Sequence, residues 1–320
     1  MRAVIHDRYG PPEVLRVGEV DRPVPGDREV LVRVLASTVT RGDAMGVRSV
    51  DYRFTRLATG VRRPRRTSLG TEFAGRVEQV GAAVKDLNVG DDVFGIKGGA
   101  NAEYVAVPAD GVIAAKPDAL SYEEAAAIPE GPLLALTSLG PAESLQGKRV
   151  VVYGAAGAIG SAAVQLLAHH LGAAEVTAVC DTKDVELVRS LGANEVVDRL
   201  RDDFTQNGET YDVIFDAVGR HSFRRCRPSL QSGGVFITMD LGFMYHVPLA
   251  SFATRIVGSK RAKLGIGRYR TENLLVVKEL VEAGKYRPVI DRTYALDEIV
   301  EAVAYVEQGQ KTGSVVLRVD

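Results

Sequence analysis

The segment Gly154-Ala155-Ala156-Gly157-Ala158-Ile159-Gly160 carries the most specific chemical signal in this 320-residue chain. It follows a buried-strand pattern, Arg149-Val150-Val151-Val152-Tyr153, and runs into a helical pattern with Ile159, Ala163, Leu166 and Leu167 on one face. A strand that turns through glycines into a helix makes an anion site. Glycine permits a sharp turn and a close backbone approach, and the helix N-terminus presents unpaired amides and a positive dipole end. The literal G-x-G-x-x-G fingerprint is not met, because Ala155 stands at its first glycine position. The strand–turn–helix context nevertheless points to the pyrophosphate of a dinucleotide, held by Gly154, Gly157, Ala158, Ile159 and Gly160. The bland alternative is a tight turn with no ligand.

A second set of side chains bears on which dinucleotide this is. Asp181 lies 21 residues after Gly160, at the end of the next strand pattern. An acid there bonds the adenosine ribose diol of NAD and repels the extra phosphate of NADP. Lys183 and Arg199 are close enough in the pattern to pair with that phosphate instead. NADP and NAD both stay open, as does a third possibility, that Asp181 merely caps a helix beginning near Asp184.

The elements that must position these groups follow two textures. Before residue 121 short β-branched runs (Ala3–Ile5, Glu29–Val34, Ala74–Val80) alternate with turn punctuation such as Gly10-Pro11-Pro12 and Pro23-Val24-Pro25-Gly26-Asp27, which predicts a β-rich domain. Ser121-Tyr122-Glu123-Glu124 reads as a capping box opening an alanine-rich helix that ends around Pro129. Then strands (Arg149–Tyr153, Glu175–Cys180, Glu195–Val197, Val213–Asp216, Val235–Met239) alternate with helices (Ile159–Leu171, Asp184–Leu191, Ser222–Leu230). That alternation predicts an α/β doubly wound parallel sheet. The tail reads as helices around Thr271–Ala283 and Asp297–Gln308 and a last strand, Ser314–Val319.

Composition narrows the function classes. A net charge of −1, with 25% charged and 46% hydrophobic residues, gives no case for nucleic acid or a membrane surface as partner. No apolar run approaches the roughly 20 residues that span a bilayer. Met1-Arg2-Ala3-Val4-Ile5-His6-Asp7 lacks a signal-peptide core, so the expected location is cytoplasmic. The two cysteines, Cys180 and Cys226, read as reduced thiols and cannot form a four-cysteine zinc site. The basic run Val61-Arg62-Arg63-Pro64-Arg65-Arg66 reads as a solvated loop.

Taken together, these motifs resemble the medium-chain dehydrogenase/reductase superfamily, in its zinc-free quinone-oxidoreductase-like branch. The resemblance is carried by Tyr9-Gly10-Pro11-Pro12-Glu13-Val14-Leu15, Gly70-Thr71-Glu72-Phe73-Ala74-Gly75, Val89-Gly90-Asp91-Asp92-Val93-Phe94-Gly95, Glu123-Glu124-Ala125-Ala126-Ala127-Ile128-Pro129, the glycine loop and Lys311-Thr312-Gly313-Ser314-Val315-Val316-Leu317. It implies a GroES-like catalytic domain over 1–120 plus 265–320, a Rossmann cofactor domain over 121–264, and a homodimer. Zinc-dependent relatives carry Cys where Thr40 stands and His where Thr71 stands, and they insert a cysteine lobe that is missing after Asp92-Val93-Phe94. No zinc is therefore expected.

The implied chemistry is hydride transfer from a reduced nicotinamide to a quinone or to the double bond of an enone or enal, with the protein supplying position and polarisation. By resemblance, the hydroxyls of Thr40 and Tyr52 are candidates for orienting the acceptor carbonyl; ordinary roles, at a strand end and in half-buried packing, compete. Val218 and Gly219 would border the cofactor, and Ile237 and Thr238 would reach its nicotinamide end. Glu130 departs from the family, where an apolar residue is usual. It is either a new acid with a burial-raised pKa or an exposed residue, and the reading favours exposure. Two alternatives to the leading function are an enoyl-reducing step in a specialised pathway and a non-catalytic nicotinamide-binding sensor.

Overall fold

The computed structural model describes residues 1–48, 60–65, 67–239, 250–254 and 258–319. Tyr52 and Arg66 lie outside the described residues. The chain divides into two compact units: Met1–Glu130 with Tyr269–Glu282 and Arg287–Asp320, and Gly131–Arg268 with Ala283–Tyr286.

The first unit opens with β1 (Arg2–Ile5) and β2 (Arg16–Glu19), an antiparallel pair. The long strand β3 (Glu29–Val39) follows, then α1 (Arg41–Arg48), β4 (Glu72–Val80), β5 (Asp92–Ile96), β6 (Tyr104–Pro108) and β7 (Ile113–Ala115). β3 is the spine: it pairs antiparallel with both β4 and β6, and its buried valines face a core with Phe73, Val93 and Val105. The capping box expected at Ser121 is present. Ser121 Oγ accepts from the Glu124 amide, the Ser121 amide donates to Glu124 Oε2 at 2.9 Å, and α2 runs Tyr122–Ala126.

A further helix, α3 (Glu130–Leu139), was not expected from the sequence. The sequence places a helix end around Pro129, yet a proline in the first turn, as Pro132 is here, removes only an amide that has no intrahelical partner.

The second unit is a parallel sheet of β8 (Arg149–Tyr153), β9 (Glu175–Cys180), β10 (Glu195–Asp198), β11 (Tyr211–Asp216), β12 (Leu230–Thr238) and β13 (Arg261–Leu264). The strand order is β10-β9-β8-β11-β12-β13, so the chain reverses direction across the sheet between β8 and β11. The crossovers include α4 (Ala158–His169), α5 (Val185–Ser190) and α6 (Phe223–Cys226). The helix expected over Ser222–Leu230 stops early. Pro228 has no amide to continue it, so a 3₁₀ turn covers Arg227–Ser229 and β12 already begins at Leu230.

The chain then returns to the first unit with α7 (Thr271–Glu282), β14 (Ile290–Ala295), α8 (Ile299–Glu307) and β15 (Ser314–Arg318). β15 pairs antiparallel with β3 and parallel with β14, giving the order β14-β15-β3-β4-β5-β7 with β6 also on β3. The fold is thus the predicted α/β combination of a doubly wound parallel sheet and a β-rich unit. No helix among the described residues is long and apolar enough to cross a membrane.

Candidate active site

Strand register gathers the predicted cofactor residues of the second unit along one edge. Val197, Val179, Tyr153, Asp216 and Thr238 form a row across β10, β9, β8, β11 and β12. Gly154 follows that row directly, and Asp181, Arg199 and Val218 each follow it by two residues. This is the carboxyl edge of a parallel sheet at its switch point, where such sheets bind ligands.

The glycine loop is a backbone cradle. Gly154 adopts φ +76°, a left-handed conformation that favours glycine, and a Cβ there would lie 2.7 Å from Val218 Cγ1. A Cβ on Gly160 would collide with the carbonyl oxygen of Gly154. The first bond of α4 runs from the Ser161 amide to the Gly157 carbonyl at 2.8 Å, so the amides of Ala158, Ile159 and Gly160 precede the intrahelical ladder. Gly157 caps the helix with no side chain, leaving its N-terminus open to an anion.

Asp216 fixes the loop that faces this cradle. Its carboxylate accepts from the amides of Val218 (3.2 Å), Gly219 (2.9 Å) and His221 (2.7 Å). Burial pushes its pKa up to about 6, against the lowering effect of those amides. Val218 and Gly219 are held beside Gly154 in this way. Ile237 and Thr238 end β12 next to Phe215 and Asp216, and both are buried.

Asp181 and Arg199 do not act as opposed charges. The Arg199 guanidinium pairs with Asp181 Oδ1, which with Tyr153 holds the arginine further toward its charged form. Asp181 makes no side-chain cap to the following turn, so the capping alternative fails. Lys183 is exposed in that turn, Thr182–Asp184.

In the first unit, Thr40 sits between β3 and α1 as a helix cap. Its hydroxyl donates to Asp43 Oδ2 at 2.8 Å and accepts from the Asp43 amide at 3.1 Å, while its own amide donates to Asp43 Oδ2. Asp43 also accepts from the Gly70 amide. Burial raises the Asp43 pKa against these bonds. Sequence reasoning passed over Asp43; the spacing Thr40-x-x-Asp43, a capping-box signature, was the available signal.

Glu72, also passed over, is 3% exposed at the start of β4. It accepts from Thr38 Oγ1 at 2.5 Å and from the Glu130 amide at 2.7 Å. Burial pushes its pKa up, and the Glu130 charge adds to the shift. The expected exposure of Glu130 is corrected: the residue is half-buried, because its amide is tied to Glu72 and its Oε1 accepts from Tyr269 Oη at 2.6 Å. Burial pushes its pKa up to about 7; the Asp43 charge adds to this, while the Tyr269 bond and the Lys311 charge oppose it.

This cluster predicts a pH effect on stability. A carboxyl whose folded pKa is raised favours the folded state while protonated, and that advantage is lost as pH rises through the folded pKa. Melting temperature is therefore expected to fall between about pH 5 and about pH 8 through Glu72. Glu72→Gln removes the charge; its one amide oxygen can still accept from the Glu130 amide, while its NH2 group would donate to Thr38 Oγ1 in place of accepting from it. It should match wild type at the acid end and melt about 3 °C or more higher at the alkaline end, on the scale of a few degrees per kcal/mol. Parallel melting curves for the two proteins at every pH would rule this out.

Comparisons with known proteins agree with the architecture. Residues 26–118 match the family described as alcohol dehydrogenase GroES-like domain, and residues 191–317 match the family described as zinc-binding dehydrogenase. A 2-methylene-furan-3-one reductase of Solanum lycopersicum is 32% identical over 99% of this chain and 79% of its own length. An NADPH-dependent alkenal/one oxidoreductase, chloroplastic, of Arabidopsis thaliana is 31% identical over 99% of this chain and 79% of its own. The solved quinone oxidoreductase from Coxiella burnetii superposes with a TM-score of 0.88 at 27% identity, covering 100% of this chain and 99% of that one.

Proposed function

Because the chain belongs to the medium-chain dehydrogenase/reductase superfamily, in its quinone-oxidoreductase-like branch, we propose that it transfers a hydride from NADPH to a quinone or to the double bond of an α,β-unsaturated carbonyl, without zinc. The cradle at Gly154, Gly157, Ala158, Ile159 and Gly160 carries this reading: open helix amides meet a loop into which a Cβ at Gly154 or Gly160 does not fit. The bound nicotinamide supplies the hydride. The chain's own groups hold and orient. The cradle amides take the pyrophosphate, Asp216 keeps Val218 and Gly219 over the loop, and Ile237 and Thr238 border the nicotinamide end.

NADPH is preferred over NADH in this reading because Arg199 already neutralises Asp181. The carboxylate then no longer repels a 2′-phosphate, and Arg199 with Lys183 offers that phosphate positive charge. NADH is the alternative if Asp181 exchanges Arg199 for the ribose diol.

Zinc fits poorly. Thr40, where zinc-dependent relatives place a cysteine, donates its hydroxyl proton to Asp43, and a threonine stands at 71. Among the described residues, no three His, Cys, Asp or Glu side chains form a group that could hold a metal ion. Thr40 then serves by fixing the start of α1, and Tyr52 remains the candidate hydroxyl for the acceptor carbonyl. The proposal includes a cytoplasmic homodimer; a single-chain mass by light scattering would remove the dimer.

Purified protein mixed with NADPH and a small quinone or enone should consume the reduced-nicotinamide absorbance, with no stoichiometric zinc by metal assay. Cofactor binding without consumption by any acceptor would instead favour the non-catalytic sensor.

A further inference from the structure

We propose that His221 is a positioning residue for cofactor selection: its ring, packed edge-on against Tyr153, keeps the Tyr153 hydroxyl on the Arg199 guanidinium and so fixes the charge that meets the 2′-phosphate of NADPH. The inference rests on the proposed use of NADPH and names further side chains that select it.

All of these groups belong to the second unit, and strand register brings them together. Tyr153 ends β8, opposite Val179 of β9 on one side and Asp216 of β11 on the other. On the β9 side, the Arg199 amide donates to the Cys180 carbonyl at 2.9 Å, which sets Arg199 beside Asp181. Its guanidinium pairs with Asp181 and donates to the Tyr153 hydroxyl. On the β11 side, the His221 amide donates to Asp216 Oδ2 at 2.7 Å. The carboxylate that holds Val218 and Gly219 beside the glycine loop therefore also seats His221 against Tyr153.

The seat is aromatic. The His221 and Tyr153 ring centroids are 4.3 Å apart with the planes at 82°. Phe204 closes the third side, 5.1 Å from His221 and 6.1 Å from Tyr153. Edge-to-face contacts of this kind fix ring orientation. Phe204 and Tyr153 are both buried, so the phenol has little room to turn while His221 is in place. His221 Nδ1 is buried and bonds no group among the described residues. The flat ring, and not a hydrogen bond at that nitrogen, therefore does the holding, and a phenyl ring can replace it.

His221 adds no charge of its own. Burial, helped by the Arg225 charge and opposed by Asp203, pushes its pKa down to about 4, so the ring is neutral at neutral pH. Arg225 is itself paired with Asp203 at 2.7 Å. An effect of His221 on phosphate affinity must then pass through Tyr153 and Arg199. The Tyr153 hydroxyl and the Asp181 carboxylate hold the guanidinium from two sides. A guanidinium fixed in advance gives up less side-chain freedom when it takes a phosphate.

In the test, cofactor-free protein is titrated calorimetrically with 2′,5′-ADP and with 5′-AMP, which differ only in the 2′-phosphate. The ratio of the two affinities is compared across variants, with circular dichroism to check folding. His221→Ala and Tyr153→Phe should each lower the ratio about fivefold, on the scale of one hydrogen bond. The double variant should lose no more than either alone, because both act through one contact. His221→Phe should stay within about twofold of wild type, since it keeps the edge-to-face packing. A merely structural role would weaken both nucleotides alike and leave the ratio unmoved. Should His221→Ala not fold, His221→Leu, which keeps the volume without the flat ring, should show the same loss. An unchanged ratio in Tyr153→Phe or in the folded His221 variant, a loss in His221→Phe as large as in His221→Ala, or additive losses in the double variant would overturn the inference. If Arg199→Ala lowers the ratio while these variants do not, only this inference fails. If Arg199→Ala leaves the ratio unmoved, the NADPH reading fails with it.

Discussion

Gly160→Ala should weaken binding of NADPH and NADH alike by about 100-fold or more. The added Cβ would collide with the Gly154 carbonyl oxygen and would sit 2.7 Å from the Gly154 carbonyl carbon and 2.9 Å from Ala155 Cα. These are backbone atoms of the same turn and cannot rotate away as a flexible side chain can. The loop must move, and the amides of Ala158 and Ile159 move with it. Overpacking of this kind costs about 1–3 kcal/mol in stability, so the variant should still fold. The loss in affinity is larger because the pyrophosphate depends on several amides aimed at one point. Calorimetric titration with both cofactors, with circular dichroism to check folding, reads this directly. A folded variant with affinities within threefold of wild type would mean that the pyrophosphate lies elsewhere.

Arg199→Ala should shift the NADPH-to-NADH affinity ratio toward NADH by about 10- to 100-fold. Two effects act in the same direction. Removing the guanidinium takes away a charge-assisted bond to the 2′-phosphate, worth about 1.5–3 kcal/mol. It also releases Asp181, whose freed carboxylate repels that phosphate and accepts from the ribose diol of NADH. Asp181→Ser should change the NADPH affinity little. A ratio unaffected by Arg199→Ala would place the adenosine end away from Asp181 and Arg199.

The cofactor half of the site was legible in the sequence because its determinants are local. Gly154, Gly157 and Gly160 fall within seven residues of one turn, the strand before them is a continuous apolar run, and the helix after them carries an apolar spacing near 3.6. The sign of the Asp181–Arg199 interaction was not legible. Sequence distance shows two charges, but only the pairing of β9 with β10 brings them into contact.

The acid cluster was less legible still. Glu130 meets Glu72 across 58 residues and Tyr269 across 139, and no periodicity records contacts of that range. Its unusual residue type was visible, but its burial depended on partners that only the folded β-rich unit supplies. Thr40 shows the opposite case: the local cap that occupies its hydroxyl could have been read from Asp43 three residues on.

The central claim, hydride transfer from a nicotinamide held by the Gly154–Gly160 cradle, is tested most directly by isotope transfer. NADPH carrying deuterium at C4 in one configuration is supplied with an enone, and the product is analysed by mass and NMR. The account predicts one deuterium at the β-carbon from one of the two C4 configurations and none from the other. Reduced product without deuterium from either configuration, or no product despite bound NADPH, would contradict it.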